Sequence, residues 1–229
     1  MARPDLVIFD CDGVLIDSEV IACRVDAACL AEEGIAITAD EIIERYVGLS
    51  LATMLNDIET RYARRLPADF PARVRTHITA AFESELRALP GVEEAVRAVS
   101  TARCVASSSG LDRLAHALTM TGLVDLFAPH IFSATQVARG KPAPDLFLFA
   151  AERMGVGPAS CLVIEDSVAG VRAAVAAGMA VIGFTGGGHC RSGHGERLLS
   201  AGAHTTVDHM DRLAALLRVP ERRDARPAS

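Results

Sequence analysis

The stretch VIFDCDGVLIDS (7–18) sets two aspartates, Asp10 and Asp12, one residue apart at the end of an apolar run, with Gly13 next. Side chains at i and i+2 of an extended segment point the same way, so both carboxylates face one site. Two like charges so placed repel, and one is driven toward its protonated form. They coexist if one binds a cation and the other acts as an acid. A second acidic pair, Glu165-Asp166, closes the apolar run CLVIED (161–166). Asp10 and Asp166 together form a hard oxygen site suited to Mg²⁺. Gly13 lets the loop turn tightly and approach a phosphate. Ser107, Ser108 and the amides after them, with Lys141, are donors for phosphoryl oxygens.

Lys141 stands out by rarity. Of 23 basic residues it is the single lysine, the rest being arginine. If biased codon usage accounts for the arginines, a surviving lysine marks a place where a planar fork does not serve and a compact ammonium does.

These residues need elements to hold them. DLVIF (5–9) reads as a buried strand stopped by the aspartates. From Asp17 to Leu89 the texture is helical in four segments, with Thr38 and Glu41 forming a capping box and Gly34 a helix stop. After Pro90-Gly91, strands return at 102–109, 130–134, 160–167 and 180–188, with a weak one at 204–207. Helices alternate with them at 111–122, 145–155, 168–179 and 211–218. Such alternation predicts right-handed crossovers and a parallel sheet. The expected fold is α/β: a Rossmann-like parallel-sheet core, residues 1–16 and 88–220, with a helical cap, 17–87, inserted after the first strand. Residues 221–229 are expected to form a polar, frayed tail. Ligands of open α/β sheets bind at the carboxyl ends of strands, and all four polar groups above fall on that edge.

Composition narrows the function. Half the residues are hydrophobic and the net charge is −6, which argues for a globular chain and against a general nucleic-acid surface. No apolar run reaches the ~20 residues of a membrane span, and no signal peptide is evident. The expectation is a cytoplasmic protein, a monomer or weak dimer, whose partner is a small phosphorylated metabolite. The six cysteines form no CxxC pair, and Cys11, Cys104 and Cys161 lie in strand-like runs, so they read as free. His189, Cys190 and His194 in TGGGHCRSGHG match no common structural zinc spacing and read as part of a glycine-rich loop. No G-x-S-x-G elbow supports a serine hydrolase.

DCDGVLIDS, VASSS, KPAPD and VIEDS, in that order, resemble the four motifs of the haloacid dehalogenase superfamily of phosphotransferases, over nearly the whole chain. The helical insert resembles that family's small cap, and EDSVAGVRAAVAAGM resembles the subgroup of β-phosphoglucomutase and small sugar phosphatases. The resemblance implies that Asp10 attacks phosphorus and Asp12 serves as acid and then base. It implies a Mg²⁺ held by Asp10, the Asp12 carbonyl and Asp166, with Glu165 behind them. Ser107 and Lys141 would grip the phosphate, and the cap loop around Gly48 to Ser50 would touch the leaving group. Asp12 speaks against a true dehalogenase, and a cap without lysine against a phosphonatase. Mutases of the subgroup carry a histidine and an arginine where this chain has Ala22 and Leu51, which favours hydrolysis. Arg24 or Arg45 could substitute, so a β-phosphoglucomutase-type phosphomutase is the alternative. A non-catalytic phosphate-ligand binder is the second. DSEVIACR resembles bacterial 6-phosphogluconate and hexose-phosphate phosphatases, implying a sugar or sugar-acid phosphate as substrate.

Overall fold

The computed structural model describes residues 3–47 and 51–218. Six strands form one all-parallel sheet: β1 (Leu6–Phe9), β2 (Ala102–Ser107), β3 (Ile131–Ser133), β4 (Cys161–Glu165), β5 (Ala180–Phe184) and β6 (Thr205–Val207). Their spatial order is β3-β2-β1-β4-β5-β6. The chain builds outward from β1 on one side, then returns to lay β4 on the other. The strand order therefore reverses between β1 and β4, and a crevice opens at their carboxyl ends.

Alternation along each strand sends side chains to two separate apolar layers. Val7 and Phe9 join one cluster with Val105, Ile164 and Phe184. Leu6 and Ile8 join the other with Cys104, Val163 and Val181. The first layer is closed by α5 (Val92–Arg97), α6 (Leu111–Met120) and α10 (Met210–Leu217). The second is closed by α7 (Asp145–Arg153), α8 (Val168–Ala176) and α9 (His194–Ala201). Burial on both faces is why β1 reads as a continuous apolar run. Each such fully buried side chain contributes roughly 1.5–3 kcal/mol.

Residues 18–85 carry four helices: α1 (Ser18–Glu32), α2 (Ala39–Tyr46), α3 (Leu51–Arg61) and α4 (Phe70–Glu85). They have their own core, including Leu30, Ile35, Ile42, Ile58, Phe70 and Val74. The Thr38–Glu41 capping box starts α2, and Gly34 ends the turn after α1 at φ +75°. The seam with the sheet is not clean, because Phe82 and Leu86 pack into the first layer under β1. Two helices differ from the sequence reading. Residues 92–97 form α5, and the segment read as glycine-rich loop turns into α9 at His194. The tail expected at 221–229 lies outside the described residues, which end at Arg218. Among the described residues no helix is long and apolar enough to cross a membrane. All six cysteines are free.

Candidate active site

β1 and β4 are neighbours in register, Phe9 beside Ile164. The next residues, Asp10 and Glu165-Asp166, therefore emerge together at the sheet's carboxyl edge. Ligand oxygens of Asp10, Glu165 and Asp166 lie within 4.8 Å of one another, and all three residues are buried.

Lys141 answers this charge. Its Nζ donates to Asp10 Oδ1 at 2.6 Å, Glu165 Oε1 at 2.7 Å and the Ala106 carbonyl at 3.2 Å. The ammonium also lies 4.8 Å from the centre of the Phe147 ring. Three donors thus have three acceptors, in a side chain 4% exposed. Burial alone would discharge this lysine, but the charges and hydrogen bonds of Asp10 and Glu165 outweigh it and hold the proton more tightly than usual. An arginine fork would not fit so small a cage.

The carboxylates still lack positive charge. Burial pushes Asp10 well above the usual carboxylate range; Lys141 opposes this, while Glu165, Asp166 and Asp12 push further. Burial likewise raises Glu165 against the pull of Lys141. Lys141 meets Asp10 and Glu165, and His189 meets one oxygen of Asp166; the carboxylates together still offer an all-oxygen donor set, which is what Mg²⁺ takes. Glu165 accepts from Lys141 at Oε1 and from the Ser167 amide at Oε2, 2.6 Å. Its clear contribution is to seat Lys141. The helix that follows makes room for it: a Cβ on Gly170 would stand 1.7 Å from Glu165 Oε1.

Asp12 is separately held. Its Oδ1 accepts from Ser18 Oγ at 2.5 Å, and its Oδ2 from Ser109 Oγ at 2.8 Å and Ser107 Oγ at 3.4 Å. Ser107 Oγ also accepts from the Ser109 amide at 3.0 Å. Arg113, from α6, approaches Asp12 Oδ1 at 3.7 Å. Ser108 is exposed and lines the cavity above. Gly13 has φ +78°, and a Cβ there would stand 2.1 Å from Asp166 Oδ2. Its glycine is required by crowding from Asp166 as well as by the turn.

These groups floor a cavity of about 620 Å³ whose roof is α1, α2, α3 and α4. Ala22 and Leu51 line it, so the two positions singled out in the sequence face the site. Arg24 and Arg45 do not line it, and Arg24 is paired with Glu85 at 2.5 Å. Among the described residues, the cations that face the cavity besides Lys141 are Arg75 and Arg113. Neither was legible in the sequence, because each is one arginine on a helix among many. Glu19 also lines the cavity, and burial, with Asp12 and Asp166 nearby, pushes it up to about 7. Gly48 and Ser50 lie outside the described residues.

Sequence reasoning had set His189 aside as part of a glycine-rich loop. Its Nε2 stands 2.9 Å from Asp166 Oδ2, as an ion pair buried on both sides. Burial pulls this imidazole down, but hydrogen bonding to Asp166 and Cys190 and the Asp166 charge lift it to about 11. His189, Cys190 and His194 gather within 4.8 Å, despite their unpromising spacing. The ring nitrogens of His194 are both occupied, Nε2 by the Asp166 carbonyl at 2.6 Å and Nδ1 by Arg197 at 3.0 Å. The trio therefore faces Asp166 and does not form an open ligand set.

A family model for the haloacid dehalogenase-like hydrolases matches residues 4–178. The chain belongs to that family, and it is an enzyme of the phosphoric monoester hydrolase type. It is 30% identical to the 6-phosphogluconate phosphatase of Escherichia coli K12, over 94% of this chain and 96% of the relative. A haloacid dehalogenase-like protein of unknown function from Agrobacterium tumefaciens superposes with a TM-score of 0.87 at 41% identity, covering 93% of this chain and 97% of the other. A family hydrolase from Deinococcus radiodurans, solved with bound phosphate and sodium, superposes at 0.82 with 35% identity, covering 94% and 96%.

Proposed function

We propose that the chain is a Mg²⁺-dependent phosphatase of small sugar or sugar-acid phosphates that works through an aspartyl-phosphate on Asp10. The observation that carries this reading is the cluster at the β1–β4 switch point: Asp10 and Glu165 sharing one lysine, with Asp166 beside them, beneath a cavity of about 620 Å³. The likeness to a 6-phosphogluconate phosphatase and to a structure holding phosphate supports the substrate class.

Lys141 takes Asp10 Oδ1, which leaves Oδ2 to attack phosphorus. As that O–P bond forms, the bond to the leaving oxygen breaks and its electron pair stays with that oxygen, which takes a proton from Asp12. Water then attacks phosphorus, Asp12 takes its proton, and the O–P bond to Asp10 breaks to release phosphate. Three serine hydroxyls point at Asp12, so its proton-carrying form needs at least one of them to turn away. Ser107, Ser108 and Lys141 would hold the phosphoryl oxygens. Lys141 reaches them by giving up its longest bond, that to Ala106. Mg²⁺, held by Asp10, Asp166 and the Asp12 carbonyl, would neutralise phosphoryl charge. Substrate would enter beneath the helical roof, which acts as a cap over the core.

Phosphate release from a panel of monoesters, with Mg²⁺ and with chelator, tests this. The panel holds 6-phosphogluconate, hexose 6-phosphates, phosphoglycolate and β-glucose 1-phosphate. Metal-dependent release is the expected outcome. Isomerisation of β-glucose 1-phosphate without release would make the chain a mutase and give Arg75 or Arg113 the second phosphate.

A further inference from the structure

The loop between β5 and α9 is pressed against the acidic cluster by its glycines. A Cβ on Gly187 would stand 2.9 Å from the Gly13 carbonyl, and one on Gly188 would stand 2.7 Å from Asp17 Oδ2. Only a chain without side chains at these positions passes so close beneath the β1 loop. What the close pass delivers is His189, 2% exposed, against Asp166. The loop is tied at several points. The Gly188 amide donates to Asp17 Oδ1 at 3.0 Å, Arg191 donates to the Gly188 carbonyl at 2.6 Å, and Arg191 pairs with Asp40 of α2. His194 holds the Asp166 carbonyl at 2.6 Å. Asp166 is thus gripped at its backbone by one imidazole and at Oδ2 by another, and Oδ1 is left over. Nδ1 of His189 is buried with no partner among the described residues. The ring has been brought in for its Nε2 contact.

We propose that His189 is a positioning residue for the metal site: it holds Oδ2 of Asp166 so that the other oxygen is presented, in one rotamer, to the cation. The inference rests on the Mg²⁺ reading of Asp10 and Asp166. Outer partners of a ligating carboxylate fix its orientation, and their loss typically costs ~10–100-fold in metal affinity.

The test is calorimetric titration of the full chain with Mn²⁺ in the absence of substrate, alongside thermal unfolding. His189→Met fills the space without a donor, while His189→Gln keeps an amide N–H at similar reach. The expected result is a 10–100-fold weaker Mn²⁺ Kd for His189→Met and a Kd near wild type for His189→Gln. Equal affinities for wild type and His189→Met would overturn the proposal. So would equal weakening of both variants in step with lost thermal stability, since that is a purely structural role. Asp166→Asn separates the two readings. If wild type binds no Mn²⁺, or Asp166→Asn leaves its affinity unchanged, the metal reading fails and this inference with it. If Asp166→Asn loses binding and His189→Met does not, only the positioning role fails.

Discussion

On the sheet side of the cavity, charged groups are locked to one another. Lys141 spends three donors on Asp10, Glu165 and Ala106, Asp12 takes three hydroxyls, and Asp166 is held by His189. On the helical side the opposite holds. Ala22, Leu51 and Met54 present plain apolar surface, and Arg75 reaches the cavity with no ion-pair partner among the described residues. Asp26 is buried there with Oδ1 unpaired. On the proposed mechanism, the groups that make bonds are fixed before substrate arrives, which spares reorganisation at the moment of reaction. On the same proposal, the groups that would meet the leaving portion are left uncommitted, so substitution there is expected to change selectivity and spare the chemistry.

The largest effect should come from the floor. Asp10→Asn removes the proposed attacking oxygen, and turnover should fall at least ~10³-fold with no acid-labile phosphoenzyme detectable after quenching. Appreciable turnover with Mg²⁺ present would break the mechanism.

Next is Lys141→Met, which strands two buried carboxylates. Unfolding by urea should show a loss of ~3–5 kcal/mol at neutral pH. A variant as stable as wild type would mean that the floor is not locked by this lysine.

Asp26 tests the roof by pH. Burial raises its folded value from 3.8 to about 6, so the native state binds its proton more tightly than the unfolded state. Its stabilising contribution is present below pH ~4 and lost as pH rises through about 6. Asp26→Asn should therefore match wild type near pH 4 and exceed it at pH 8 by up to about 3 kcal/mol. A pH-independent difference would show that Asp26 finds a partner in solution.

The smallest effect sharpens the contrast. Arg75→Ala should lower kcat/KM roughly tenfold for substrates with a second anionic group, as expected for an exposed charged contact of ~1.5 kcal/mol. Substrates without that group should be nearly unaffected, and an equal loss for all would place Arg75 on the transferred phosphate.

The floor was the more legible region because its residues sit at strand ends, where local pattern and topology coincide. DLVIF ends at Asp10 and CLVIE at Asp166 whatever else the chain does. The single lysine was visible by composition, yet Glu165 as its seat was not, since that bond joins residues 24 apart across the sheet edge. The α9 helix was hidden behind glycines, because Gly193 and Gly195 flank its first residue, His194.

By itself the sequence determined the alternation of strands and helices, the four-helix insert, and the order in which acidic pair, hydroxyls, lysine and acidic pair meet the sheet edge. Those follow from periodicity and from caps and breakers, which act over a few residues. Only the tertiary structure decided which charges neutralise each other, which arginines face the cavity, and that His189 reaches Asp166. Such contacts depend on close approach between segments far apart in the chain. The glycines at 13, 170, 187 and 188 permit that approach, but nothing in their local sequence names the side chain that fills the space they leave.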